Sequence, residues 1–102
     1  MISLGETLKT ARLSKGLIFR KVAAEVDIDQ SLICKFEKNE RKPTMEQLLK
    51  LAEFYDLSKD ELIINWHSEK IARELMFAES IPEILRTAEM KISVYKAQNN
   101  EE

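Results

Sequence analysis

Residues 17–44 read LIFRKVAAEVDIDQSLICKFEKNERKPT. Val22, Ala23 and Val26 share one side of a helix over 19–26, and Ile33 and Phe36 share one side of a second helix over 30–37. Asp27-Ile28 leaves room only for a tight turn between them, and Asp29 is a suitable N-cap for the second helix. Asn39 stands where that helix must stop, since Asn tolerates the left-handed conformation better than most non-glycine residues. Arg41-Lys42-Pro43 then forms a basic loop. Two short helices joined in this way bury little surface alone, and the arrangement is common where one helix must protrude into a groove.

The flanking sequence supplies the scaffold. On the N-terminal side, Ser3 and Glu6 have the S-x-x-E spacing of a capping box. Leu4, Leu8 and Ala11 follow at helical spacing, and Gly16 fits a left-handed end, which predicts a helix over 4–15. On the C-terminal side, Thr44 and Gln47 form a second box before a helix lined by Met45, Leu48, Leu49, Ala52 and Tyr55. Ser58 and Glu61 open a further helix carrying Leu62, Ile63 and Trp66, with Ile71 and Leu75 as its continuation. Ser80 and Glu83 repeat the box, with Pro82 in the first turn, where its missing N–H does no harm. Ile81, Leu85, Ala88, Ile92 and Tyr95 then recur in alternating steps of four and three, a seam of two heptads. The polar tail Gln98–Glu102 is expected to fray. The predicted fold is therefore all-α: a compact bundle of about five helices with an additional C-terminal helix, divided into residues 1–66 and an extension over 67–102.

Composition agrees with helices and short turns. The 102 residues include only two Gly and two Pro, too few for the many turns of sandwiches and barrels. Cys34 is the single cysteine, so no disulfide forms within one chain, and a reducing cytoplasmic setting is expected. No apolar run approaches a membrane span, and the N-terminus lacks the apolar core of a signal peptide. The net charge of −2 is unevenly distributed. Residues 1–58 hold ten Lys/Arg against nine Asp/Glu, whereas residues 59–102 hold six against nine. For a nucleic-acid surface, local distribution matters more than the total.

On the helix over 30–37, Gln30, Ser31, Leu32, Cys34 and Lys35 point away from the apolar side. Gln pairs with adenine, Lys reaches guanine O6 and N7, and Ser bonds to several base edges. Arg20 and Lys21 open the preceding helix, whose N-terminal N–H groups favour phosphate, and Lys38, Arg41 and Lys42 follow the second. The competing reading makes these the solvated faces of a charged bundle. Arg12 and Glu37 each lie one turn beyond an apolar residue, Leu8 and Ile33 respectively. Charges on buried faces need partners, which predicts an ion pair fixing the helix over 30–37 against the first helix. The alternative places both at a solvated rim.

Residues 4–66 resemble the phage-repressor, Cro and XRE-type helix-turn-helix family. The resemblance rests on Leu17, Ala23, Ile28, Ile33, Phe36, Glu37, Asn39, Arg41, Pro43 and Thr44, followed by MEQLLKLAEFY. It implies a lambda-repressor-like fold and double-stranded DNA as partner, and the family likewise pairs an Arg of the first helix with a Glu ending the third. Carried over by position, it implies that Gln30, Ser31, Lys35 and Leu32 meet bases, the last through a thymine methyl. It also implies that Arg20, Lys38, Asn39, Arg41 and Lys42 hold the DNA backbone. Three departures stand out. Phe19 occupies the place of a common Gln, and Asp27 and Asn39 occupy places where Gly is usual.

The C-terminal seam admits two readings, a homodimer contact through Ile81, Leu85, Ala88, Ile92 and Tyr95, or packing onto Ile71, Leu75 and Phe77 of the same chain. A lone helix-turn-helix discriminates poorly, which favours a dimer. His67, the single histidine, lacks companions for a zinc site, and no phosphate loop or nucleophile–base pair is present, so neither metal, cofactor nor enzymatic activity is expected. Cys34 is read either as a small residue tolerated near DNA or as a redox switch. Three functions compete: a sequence-specific transcriptional regulator, an antitoxin whose C-terminal helices bind a partner protein, and an interaction module without DNA binding.

Overall fold

The computed structural model describes residues 2–100. The described residues form six helices: α1 (Leu4–Ser14), α2 (Phe19–Val26), α3 (Gln30–Glu37), α4 (Met45–Tyr55), α5 (Lys59–Leu75) and α6 (Ile81–Asn100). The chain forms two compact units, one running to Lys70 and one starting at Ile71.

The first unit is built around a single apolar core. Leu4, Leu8, Val22, Val26, Ile28, Ile33, Phe36, Leu48, Leu51, Tyr55 and Leu62 are buried in it. Apart from Ile28, in the turn between α2 and α3, these are the inward positions of five helices, so each amphipathic stripe is matched by another. At roughly 25 cal/mol per Å² of apolar surface removed from water, this shared core is the main stabilising term.

Left-handed residues punctuate the helices. Gly16, Asp27, Asn39 and Asp56 have φ of +65°, +54°, +60° and +58°. Each lies just past a helix, where a left-handed residue lets following N–H groups reach back to the last carbonyls. Thus the N–H of Ile28 bonds to the Ala23 carbonyl (3.3 Å), that of Glu40 to Lys35 (2.9 Å) and that of Leu57 to Ala52 (2.8 Å). The family's glycines are therefore replaced by Asp and Asn without loss of geometry.

At the helix starts, among the described residues, only Thr44 and Gln47 form a complete reciprocal box. Ser3 and Ser58 supply the hydroxyl half alone, accepting from the N–H of Glu6 (3.1 Å) and Glu61 (3.2 Å). The box expected at Ser80 does not form. Ser80 has φ of +58°, not the extended backbone an N-cap hydroxyl needs to reach forward, and among the described residues its hydroxyl makes no bond to Glu83. A backbone bond from the Ile84 N–H to the Ser80 carbonyl (3.0 Å) starts α6 instead.

In the second unit, α6 runs to Asn100 and so includes Gln98–Asn100 of the polar tail; Glu101 and Glu102 lie outside the described residues. No helix among the described residues is long and apolar enough to cross a membrane.

Candidate nucleic-acid interface

The geometry of α3 depends on α1. Arg12 Nε donates to Glu37 Oε2 at 2.8 Å and a terminal guanidinium nitrogen to Oε1 at 3.0 Å. The other terminal nitrogen donates to the Leu17 carbonyl at 2.9 Å. The two side chains are only 9% and 3% exposed. A two-pronged pair of this kind fixes orientation as well as distance. The bond to Glu37 raises the Arg12 pKa above its ordinary value, outweighing burial, which acts the other way.

Phe19 completes this enclosure. Its ring centroid lies 3.9 Å from the guanidinium carbon of Arg12, so the ring covers the buried cation. The departure from Gln thus has a structural role: the residue is half-buried and packs inward against the ion pair. No local signal in the sequence connects Phe19 to Arg12.

A second tie holds the C-terminal end of α3. The Gly5 N–H donates to Asn39 Oδ1 (3.1 Å), and Asn39 Nδ2 donates to Ser3 Oγ (3.0 Å). The Asn39 side chain, assigned to the DNA backbone by the resemblance, is engaged within the protein. Gly5 makes the close approach possible: a Cβ there would stand 2.6 Å from the Phe36 carbonyl oxygen and 2.7 Å from that of Glu37. Sequence periodicity places Gly5 inside a helix without showing that α3 lies against it.

Three of the four expected base-facing residues, Gln30, Ser31 and Lys35, are exposed on α3. Leu32 is half-buried and packs against the core, because the face of a helix lodged against two others is wide enough to include it. Asp29 caps α3, accepting the Ser31 N–H at 2.8 Å and the Ser31 hydroxyl. Those bonds, the hydroxyl's foremost, hold the Asp29 carboxyl below its ordinary pKa. With its proton directed to Asp29, the Ser31 hydroxyl presents acceptor lone pairs outward.

Cationic residues flank α3 along the chain. Arg20, Lys21, Lys38, Arg41 and Lys42 are all exposed. Lys21 is 3.3 Å from Glu25, one helical turn away. Lys42 Nζ lies 3.6 Å from the centroid of the Trp66 ring, and the Trp66 indole N–H donates to the Pro43 carbonyl at 2.8 Å. The loop after α3 is thus held by α5, a link between residues far apart in sequence.

Beneath the interface, Tyr55 is buried and its hydroxyl has no hydrogen-bond partner among the described residues. Burial, helped by the charge of Glu37, pushes its pKa up to about 12. In α6, Ile81 is half-buried, while Leu85, Ala88, Ile92 and Tyr95 are exposed. Cys34 is a free, half-buried thiol on α3.

Comparison with known proteins places this geometry in context. Residues 8–62 match a family model described as helix-turn-helix. Over 62 residues, 61% of the chain, the sequence is 34% identical to the HTH-type transcriptional regulator ImmR of Bacillus subtilis; the match covers 49% of ImmR, so the chain spans about half the length of this relative. Two solved structures share the fold. One is the clp gene regulator ClgR from Corynebacterium glutamicum, at 20% identity and a TM-score of 0.55, covering 74% of this chain and 89% of that one. The other is a chain of the SinR protein/SinI protein complex, at 23% identity and a TM-score of 0.56, covering 88% and 98% respectively. The matched residues make up more than half of the sequence and contain the whole α2–turn–α3 unit with its supporting α4. The chain belongs to the XRE-type helix-turn-helix family.

Proposed function

We propose that this chain is a sequence-specific, DNA-binding transcriptional regulator that places α3 in the major groove, acts as a dimeric repressor in the cytoplasm and performs no catalysis. The observation that carries the reading is the exposed set Gln30, Ser31 and Lys35 on a helix fixed by α1, edged by exposed Arg20, Lys21, Lys38, Arg41 and Lys42. Gln30 and Lys35 supply donors for base edges, Ser31 an acceptor, and the flanking cations neutralise phosphates. The regulator named in the relative ImmR supports the same reading.

Homodimerisation would present two copies of α3 to half-sites about one DNA turn apart. The exposed seam residues Leu85, Ala88, Ile92 and Tyr95, with Ile81, are the surface we assign to it. The test is binding to the DNA upstream of the chain's own gene at two salt concentrations, with a random duplex as control. Preferential binding to the upstream DNA and a steep loss with salt are expected. Equal affinity for both duplexes, or no binding at low salt, refutes the reading. Lys35→Ala is expected to change the preferred sequence by about 1–3 kcal/mol at one base pair.

A second reading assigns the C-terminal helices to a partner protein, as in an antitoxin or an interaction module. Its support is Phe77, 90% exposed just before α6, together with the exposed Met76, Met90 and Val94. The SinR structure, solved as a complex with SinI, illustrates partnering within this fold. Light scattering on the purified chain separates the two readings: a dimer supports the first, and a monomer at all concentrations leaves the C-terminal surface to a different chain.

A further inference from the structure

Trp66 stands outside the α2–turn–α3 unit, yet it makes two contacts with the basic loop that follows. Its indole N–H holds the Pro43 carbonyl at 2.8 Å, and the face of its ring lies 3.6 Å from the Lys42 ammonium. Pro43 is buried, whereas Arg41 and Lys42 are exposed. The loop is therefore anchored at one end and presents two cations at the other. Lys70 Nζ, one turn further along α5, lies 6.0 Å from the same ring. Trp66 thus gathers positive charge at the edge of the interface from two elements distant in sequence.

We propose that Trp66 is a positioning residue for phosphate contact: it fixes the Arg41–Pro43 loop and orients Lys42 toward the DNA backbone. This rests on the DNA-binding reading above. A lysine is a flexible point charge with about 2 kcal/mol of rotamer entropy to lose on fixing a contact. A ring that restricts the ammonium before DNA arrives reduces what binding must spend on ordering it. The indole–carbonyl bond restricts the backbone that carries Arg41 and Lys42 in the same way. Because phosphates carry no sequence information, the contribution is the same on every duplex.

The test uses the full chain and a short random-sequence duplex at low salt, alongside the upstream DNA. Trp66→Ala is expected to weaken binding to both duplexes equally, by up to about tenfold, the cost of ordering Lys42 and its loop only when DNA binds. Trp66→Phe, which keeps a ring but not the N–H, falls between Trp66→Ala and the wild type. In a background of Arg41→Ala with Lys42→Ala, replacing Trp66 changes affinity by less than about twofold, because the groups it positions are gone. Urea unfolding of every variant identifies any that fails to fold; should Trp66→Ala fail, Trp66→Phe carries the comparison. An undiminished loss in the Arg41/Lys42-deficient background, or no loss in the native background, overturns the proposal while leaving DNA binding standing. Failure of the wild type to bind either duplex overturns the DNA-binding reading and the proposal with it.

Discussion

Replacing Arg12 by Met separates two roles that a buried ion pair can have. The substitution removes two bonds to Glu37 and one to the Leu17 carbonyl, and it leaves a carboxylate whose side chain is 3% exposed without its cation. Removing one partner from such a pair costs about 3–5 kcal/mol, a large share of the stability of a small domain. Replacing Glu37 by Leu should cost less, about 2 kcal/mol, because Arg12 keeps the Leu17 carbonyl and the Phe19 ring. The double variant removes both charges and leaves two apolar side chains in a largely apolar site. Its loss should fall short of the sum of the single losses by at least about 2 kcal/mol, since residues in direct contact do not act additively. Urea unfolding followed by far-ultraviolet circular dichroism gives each free energy by linear extrapolation. If each single variant loses less than about 1 kcal/mol, the pair behaves as an exposed salt bridge and the account of α3 fixed by α1 is wrong. Additivity within about 0.5 kcal/mol would refute it equally.

The two non-glycine residues at glycine sites should differ in their response to Gly. Asp27→Gly relieves a left-handed residue whose side chain makes no hydrogen bond among the described residues, and it should stay within about 1 kcal/mol of the wild type. Asn39→Gly loses two side-chain bonds to α1 and should cost about 1–2 kcal/mol; a variant as stable as the wild type would dismiss the tie. Gly5→Ala drives a Cβ into two backbone carbonyls of α3 and should lower stability by at least about 2 kcal/mol in the same assay. Tyr55 predicts an alkaline limit. Its folded pKa of about 12 lies above the ordinary 10, so the folded state holds the proton longer. That contribution is complete below pH 10 and is lost as pH rises from 10 to 12, by about 2–3 kcal/mol. Tyr55→Phe should remove this pH dependence and, because the hydroxyl has no partner among the described residues, leave stability at pH 7 unchanged or slightly higher.

The features legible in the sequence are those written in local spacing. The limits of α1 to α4 follow from caps and from apolar residues three and four apart, and the charges Arg12 and Glu37 stand out because they interrupt apolar stripes. The family residues from Leu17 to Thr44 lead to the same fold. Contacts that depend on which surfaces meet were not legible. Phe19 signals only a missing polar group until its ring is seen against Arg12, and Asn39 signals a helix end until its amide is seen bonded to Ser3 and Gly5. Leu32 looks outward on a narrow-stripe reading, but α3 packs against both α1 and α2 and draws it into the boundary of the core. At Ser80 the spacing of a capping box is present while the backbone turns left-handed, so residue types alone do not determine a cap.

Trp66 is the only tryptophan in the sequence. Excited at wavelengths that tyrosine does not absorb, the protein therefore emits from one indole, against which one ammonium is held at 3.6 Å. Indole emission is sensitive to nearby charge, so the chain carries an optical reporter at the edge of its interface and needs no added dye. A titration with DNA would read the local field at that edge directly, in the unmodified protein and at the salt concentrations where binding is measured.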